Sequence, residues 1–136
     1  MTDTEAISAT LFRYAQAVDD NDVEALADCF TEDAVMAADN ANGSGVPRLV
    51  GRNAIVDFIH AERLARHDRR HHLVTNVRIV DRSGDDATVH AYVLLATTGA
   101  DGVTRVKTAA SYLDEFRRED GTWRIRSKQI QLDSAY

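Results

Sequence analysis

Residues 71–80 read HHLVTNVRIV, and residues 87–97 read ATVHAYVLLAT. Both segments are rich in Val, Thr, Ile and Tyr, which is typical of β-strands. Turn signals at Ser83-Gly84-Asp85, at residues 99–102 and at Glu119-Asp120-Gly121 are spaced as in hairpins, and this spacing predicts an antiparallel meander. The four predicted strands are residues 71–80, 87–97, 103–116 and 122–132.

The first half of the chain has helical rather than alternating periodicity. Apolar residues recur at helical spacing over residues 2–19, and Thr2 with Glu5 forms a candidate capping box. The acidic run after Val18 predicts a break in this helix. Asn21 with Glu24 is a second candidate capping box, which would open a short helix over residues 23–30.

A short strand, a loop and a third helix connect these helices to the meander. Residues 34–37 are apolar and predict the strand, whereas residues 38–50 hold Gly, Asn and the single proline and predict a mobile loop. Residues 51–68 predict the third helix. Helices followed by a meander indicate an α+β domain spanning residues 1–136, with three N-terminal helices covering one face of a curved antiparallel sheet.

Composition excludes several classes of protein. The 136 residues carry 16 Lys and Arg against 22 Asp and Glu, a net charge of −6, which argues against nucleic acid or an anionic membrane as a partner. A single cysteine, Cys29, cannot form an intramolecular disulfide. The N-terminus is acidic and no apolar run approaches the roughly 20 residues of a membrane span, so we expect a cytoplasmic protein.

The histidines between the third helix and the first long strand are the first candidate site. His60, His67 and His71 would share a face if one helix continued through them, and imidazole is a good ligand for zinc, iron or copper. Arg69 and Arg70 lie inside the cluster and would repel a cation. A surface stretch where helix gives way to strand is the competing interpretation, and we predict no metal site.

His72 is a candidate by itself. Alternation places His72 and Asn76 on one face of the strand and the more apolar set, from His71 to Ile79, on the other. The pattern therefore directs His72 toward water. A face that carries His, Val and Asn is also typical of the wall of a partly polar pocket.

Asp19, Tyr14 and Lys128 have ordinary structural interpretations. Asp19 belongs to a turn and capping run, and Tyr14, about 140° away on an ideal helix, is a typical core aromatic. Arg124, Arg126 and Lys128 share one face of the last strand, as in a solvated edge that discourages aggregation. The chain has no nucleophile elbow, P-loop, dinucleotide fingerprint or zinc-protease motif.

Several segments occur in an order that is similar to a known family. They are RYAQAVD at 13–19, ADCFTEDAV at 27–35, GRNAI at 51–55, HLVTN at 72–76 and YLDEFRREDGTWRI at 112–125. The pattern resembles the SnoaL-like branch of the nuclear-transport-factor-like cone fold over nearly the whole chain. That superfamily includes dehydratases, isomerases, polyketide cyclases and non-catalytic dioxygenase β subunits.

The functional likeness is to the group that includes scytalone dehydratase, bile-acid 7α-dehydratase and hexachlorocyclohexane dehydrochlorinase. This resemblance implies a catalytic pair of Asp19 and His72, with Tyr14, Asn76 and Lys128 contacting the substrate. Members of the group usually carry another polar or acid/base side chain on the second long strand. Here the matching stretch, residues 94–97, offers only a threonine.

The resemblance implies a cofactor-independent lyase or isomerase that removes a proton from a small, largely apolar molecule, in a β-elimination or dehydration. His72 would be the general base and Asp19 would orient it. The alternatives are a ligand-binding or accessory subunit like the dioxygenase β subunits, and a polyketide cyclase. Apolar positions on the outer face of such a sheet predict a homo-oligomer, either a dimer or a trimer.

Overall fold

The structure is a computed structural model that describes residues 1–40 and 45–133. Three helices and six strands occur in the described residues. In chain order they are α1 (Asp3–Asp20), α2 (Val23–Asp28), β1 (Phe30–Asn40), β2 (Val46–Val50), α3 (Arg52–Leu64), β3 (Arg69–Ser83), β4 (Asp86–Thr98), β5 (Thr104–Glu119) and β6 (Thr122–Leu132).

The six strands form one curved sheet in the order β2-β1-β6-β5-β4-β3, and the helices pack on it. Strands β3 to β6 pair antiparallel with their sequence neighbours, so the predicted meander and the α+β class are confirmed. Strand β1 pairs in parallel with β6, a contact that the meander pattern does not predict. This pairing brings the first strand of the chain against the last.

The predicted loop over residues 38–50 is wrong in part. Strand β1 continues to Asn40, and β2 pairs antiparallel with it; residues 41–44 lie outside the described part of the chain. Pro47 lies within β2, which is the edge strand of the sheet. An edge position tolerates proline because one side of the strand needs no ladder hydrogen bond.

Capping residues set the ends of α1 and α2. The Thr2–Glu5 capping box is confirmed, with the Glu5 amide donating to Thr2 Oγ1 at 3.1 Å. The second predicted box is wrong: Asp22, not Asn21, caps α2 by accepting from the Ala25 amide. Asn21 instead ends α1 in the left-handed conformation, with φ 54°, which asparagine adopts more readily than most residues.

β-Bulges decide which side chains of β3 and β6 face the core. In β3 the register shifts between Thr75 and Arg78, and Asn76 has φ 54°. An extra residue reverses the alternation of side chains. As a result His72 lies on the inner face before the bulge, whereas Ile79 packs on the core after it.

The bulge in β6 has the same effect. Its register against β5 shifts between the pairs Glu115–Ser127 and Phe116–Ile125, which leaves Arg126 as the extra residue. Ile125 is buried before the bulge, and Lys128 is buried after it. The prediction that Lys128 shares a solvated face with Arg126 is therefore wrong.

Candidate active site

A cavity of about 410 Å³ opens between the helices and the inner face of the sheet. Its walls are mostly apolar and come from α1, α3 and strands β1 to β6. Such a volume and lining are typical of a site for a small organic molecule. The apolar wall includes Val18, Met36, Phe58, Val93, Leu95 and Ile130.

Asp19 and His72 meet at the wall of this cavity. The Nδ1 atom of His72 lies 2.6 Å from Asp19 Oδ1, and the backbone amide of His72 donates to Asp19 Oδ2 at 2.9 Å. Both carboxylate oxygens are thus held by the same residue. The side chains of His72 and Asp19 are only 11% and 10% exposed, and both line the cavity.

The end of α1 and the end of α3 are tied together beside this pair. His60 Nδ1 lies 2.9 Å from Asn21 Oδ1, and Arg63 Nε donates to the backbone carbonyl of Asp19 at 3.1 Å. These contacts fix the last turn of α1, which carries Asp19. A carboxylate that is anchored through its backbone and both of its oxygens is well placed to orient an imidazole ring.

Two tyrosines form the wall next to the pair. Tyr14 and Tyr112 both line the cavity, and their rings pack edge to face with centroids 6.2 Å apart. Tyr14 also packs edge to face on Phe30, at 5.8 Å. Tyr14 is thus the core aromatic that its position on the helix predicts, and it borders the same cavity as Asp19.

Asn76 and Lys128 do not join Asp19, His72 and Tyr14 at the cavity wall. Asn76 is exposed at the bulge of β3. Lys128 lies beneath the tyrosines, with Nζ 3.4 Å from the ring centroid of Tyr112 and 4.7 Å from that of Tyr14. Neither residue lines the cavity. Their positions therefore do not fit the direct contact with substrate that the resemblance implies.

Lys128 forms an ion pair with Asp114 that the sequence did not reveal. Lys128 Nζ donates to Asp114 Oδ2 at 2.7 Å, and the side chains are 0% and 1% exposed. Burial lowers the pKa of Lys128 and raises that of Asp114, and each shift is opposed by the partner's charge. The available signal was alternation in β5, where Tyr112, Asp114 and Phe116 all point inward.

The charged residues that border the cavity were also missed. Glu62 and Arg63 come from the last turn of α3, Arg66 follows that helix, and Arg70 comes from the start of β3. Arg70 is 6% exposed, whereas the sequence predicts a surface stretch at this point. These positions depend on where α3 ends and β3 begins, which helical periodicity does not fix.

The continuous histidine-bearing helix is not formed. Helix α3 ends at Leu64, so His67 and His71 lie beyond it, and both are exposed. Among residues 1–40 and 45–133, no group of three or more His, Cys, Asp or Glu side chains is arranged to hold a metal ion. In the same residues no helix is long and apolar enough to cross a membrane.

A family model for the SnoaL-like domain matches residues 1–129. The chain belongs to the SnoaL-like domain family. The match covers every described element up to most of β6, and it confirms the family resemblance that the sequence segments carry. None of the curated proteins compared with this SnoaL-like chain matches it significantly.

Solved structures share the fold over almost the whole chain. The β subunit of a proposed aromatic-ring-hydroxylating dioxygenase from Novosphingobium aromaticivorans is 24% identical, with a TM-score of 0.85 over 98% of this chain and 90% of that one. A proposed aromatic ring hydroxylase from the same organism is 29% identical, with a TM-score of 0.79 and the same coverage of both chains.

A third structure, a proposed scytalone dehydratase from the same organism, is 24% identical, with a TM-score of 0.75 over 98% of this SnoaL-like chain and 89% of that one. The fold is thus shared by a protein described as a dehydratase and by one described as a dioxygenase β subunit. This range of functions means that the activity must be argued from the site.

Proposed function

We propose that this SnoaL-like protein is a cofactor-independent lyase or isomerase that removes a proton from carbon in a small, largely apolar molecule. The observation that carries the proposal is the 2.6 Å contact between His72 Nδ1 and Asp19 Oδ1 at the wall of an apolar cavity. A pocket that was blocked, or that lacked this contact, would have favoured a binding or accessory role.

In this proposal the two nitrogens of the His72 ring have different roles. A carboxylate is an acceptor, so Nδ1 of His72 carries the hydrogen that faces Asp19. The lone pair is then on Nε2, which is the nitrogen available to take a proton from substrate. Asp19 stabilises the imidazolium that forms, and assistance of this kind contributes about 10² to 10⁴ in rate.

The rest of the reaction follows from the chemistry of a carbon acid. As His72 takes the proton, the electron pair of the C–H bond moves toward a neighbouring carbonyl group and forms an enolate. In an elimination the imidazolium of His72 then gives this proton to a β-hydroxyl group, which leaves as water while the enolate electrons form a C=C bond and the carbonyl group is restored. In an isomerisation the proton returns to another carbon. Tyr14, on the same wall, is proposed to contact the substrate oxygen.

Hydrogen–deuterium exchange tests proton removal without knowledge of the natural substrate. Small apolar ketones such as 1-tetralone and 1-indanone are incubated with the protein in D₂O, and loss of the α-proton signals is followed by NMR. The native protein is expected to accelerate exchange above the buffer rate. His72→Gln should lower that acceleration by about 10² to 10⁴.

The neighbouring histidine supplies the matched control. His71 is exposed and lies outside the cavity lining, so His71→Gln should exchange at the native rate. Equal rates in native protein and His72→Gln across the panel would contradict the proposal.

A non-catalytic accessory subunit is the second candidate. It is favoured by Leu95, an apolar residue that lines the cavity. Leu95 lies in the stretch, residues 94–97, where the resemblance implies a further polar or acid/base group. Ketones that bind in the cavity but show no accelerated exchange would support this candidate. Product analysis with a polyketide-like substrate would separate elimination from cyclisation.

A further inference from the structure

The charged residues that line the cavity are mostly basic, whereas the protein as a whole is acidic. The chain has a net charge of −6, yet the charged residues that line the cavity are three arginines and two carboxylates. They are Arg63, Arg66, Arg70, Asp19 and Glu62. This grouping lies where the ends of α1, α3 and the start of β3 meet.

The contacts of Arg66 and Arg70 differ from those of Arg63. Arg66 Nη2 lies 3.4 Å from Glu62 Oε2, and Arg70 Nε lies 2.8 Å from Asp68 Oδ1. Each of these two guanidinium groups therefore contacts a carboxylate. The hydrogen bonds of Arg63 are instead both to backbone carbonyl groups, from Nε to Asp19 at 3.1 Å and from Nη1 to Arg66 at 3.5 Å.

Arg63 thus presents to the cavity a charged group that forms no ion pair with any residue in the described part of the chain. It is half-buried, and within residues 1–40 and 45–133 no carboxylate lies within 4.0 Å of its guanidinium nitrogens. The bond to the Asp19 carbonyl holds it beside the residue that orients His72. A guanidinium group has five N–H donors. The bonds from Nε and Nη1 leave one N–H on Nη1 and both on Nη2 for a planar, bidentate acceptor such as a carboxylate.

We propose that Arg63 binds a carboxylate group of the substrate, so that the site takes small carboxylic acids with an apolar body. The inference rests on the proposed function, in which this cavity is the substrate site. The apolar walls hold the body of the molecule, and Arg63 fixes its charged end next to the Asp19–His72 pair. Arg63 is a specificity-determining residue in this arrangement.

The competing explanation is purely structural. A basic side chain near the end of a helix stabilises the terminal carbonyl groups, and Arg63 does this for α1. That role predicts a loss of stability when Arg63 is replaced. It predicts no discrimination between a charged ligand and a neutral ligand of the same shape.

Binding of 2-naphthoate and 2-naphthamide separates the two explanations. These probes have the same ring system and differ in charge at neutral pH. Isothermal titration calorimetry on the native protein should give a dissociation constant for the carboxylate about tenfold to a hundredfold lower than that for the amide. The preference should shrink as the salt concentration rises.

Arg63 variants measure the preference directly. Arg63→Gln should abolish it while affinity for 2-naphthamide stays within about twofold, and Arg63→Lys, which keeps the charge, should retain part of it. Arg52→Gln is the matched control, because Arg52 lies on the same helix but does not line the cavity. It should leave both affinities unchanged.

Two results would overturn the proposal. One is equal binding of the two probes to the native protein, and the other is a preference that survives in Arg63→Gln. Ligand binding needs no turnover, so the outcome is separable from the exchange experiment. A carboxylate preference that depends on Arg63, in a protein that exchanges no ketone protons, would uphold the anion site and reject the proposed activity.

Discussion

The Asp19–His72 pair and the Asp114–Lys128 pair have almost the same contact length, 2.6 and 2.7 Å, but lie in different surroundings. The first pair is about one-tenth exposed and borders the cavity. The second is almost wholly buried under two tyrosine rings, away from the cavity lining. A group must reach the reacting atoms before its basicity can be used.

The difference teaches that a short carboxylate–base contact by itself does not indicate chemistry. Burial raises the pKa of Asp114 and lowers that of Lys128, and the charge of each partner opposes the other's shift. Removing one partner therefore leaves the other charge buried without compensation. Replacing a member of the buried pair should therefore change stability. Replacing a member of the cavity pair should change activity.

Asp19→Asn should produce the largest effect, and it should appear in activity. Asp19 accepts from both the ring and the backbone amide of His72, and an asparagine must turn its NH₂ group toward one of those donors. We expect the rate of proton exchange to fall by a factor of about 10² to 10⁴. The free energy of unfolding, measured by urea denaturation, should fall by about 1 to 2 kcal/mol. Native activity in this variant would remove the distinction between the pairs.

Lys128→Met should have its main effect on stability rather than on activity. It leaves the Asp114 carboxylate buried without its cation, which costs about 3 to 5 kcal/mol in the free energy of unfolding. Urea denaturation measures the change. Adding Asp114→Leu should recover much of that loss, because the buried charge is then also removed.

Arg126→Met is the matched control for the buried pair. Arg126 lies two residues from Lys128 and forms a 2.7 Å ion pair with Glu115, with side chains 35% and 48% exposed. Exposed pairs contribute about 0 to 1 kcal/mol, so this variant should be nearly as stable as the native protein. Equal losses in Arg126→Met and Lys128→Met would contradict the importance of burial.

Much of the fold could be predicted from the sequence, whereas the position of Lys128 could not. The turn residues and periodicity identify the helices and the meander, and the family resemblance implies that Asp19 and His72 form a pair. The orientations of His72 and Lys128 depend on bulges near Asn76 and Arg126, where one added residue reverses the alternation. A bulge is defined by pairing with another strand, so local periodicity cannot reveal it.

Asp114→Asn should show a pH dependence that isolates the lysine. Burial lowers the pKa of Lys128 and the charge of Asp114 opposes that shift, so the variant lowers this pKa further. Between the lowered value and the ordinary value of 10.5, the unfolded chain binds more protons than the folded one. The stability deficit of the variant, relative to the native protein, should shrink as pH rises from 7 toward 10.

Urea denaturation at several pH values between 7 and 10 checks this prediction. The slope should not exceed about 1.4 kcal/mol per pH unit, the limit for a single proton. A deficit that grows with pH would show that the lysine keeps its proton more firmly in the folded variant, opposite to the effect expected from burial.

Thr31→Val should have the smallest effect and extends the comparison to a carboxylate at the surface. Thr31 Oγ1 donates to Asp33 Oδ1 at 2.8 Å, and this bond is the main reason that the pKa of Asp33 lies below its ordinary value. Without the hydroxyl group the pKa should rise, as followed by NMR titration. In the native protein the lowered pKa of Asp33 contributes a small stabilisation above the ordinary pKa, and this is lost as pH falls through the lowered value. Thr31→Val should remove this contribution. Thr31→Ser keeps the donor and should keep the low pKa; a low pKa in both variants would assign the shift to nearby arginines.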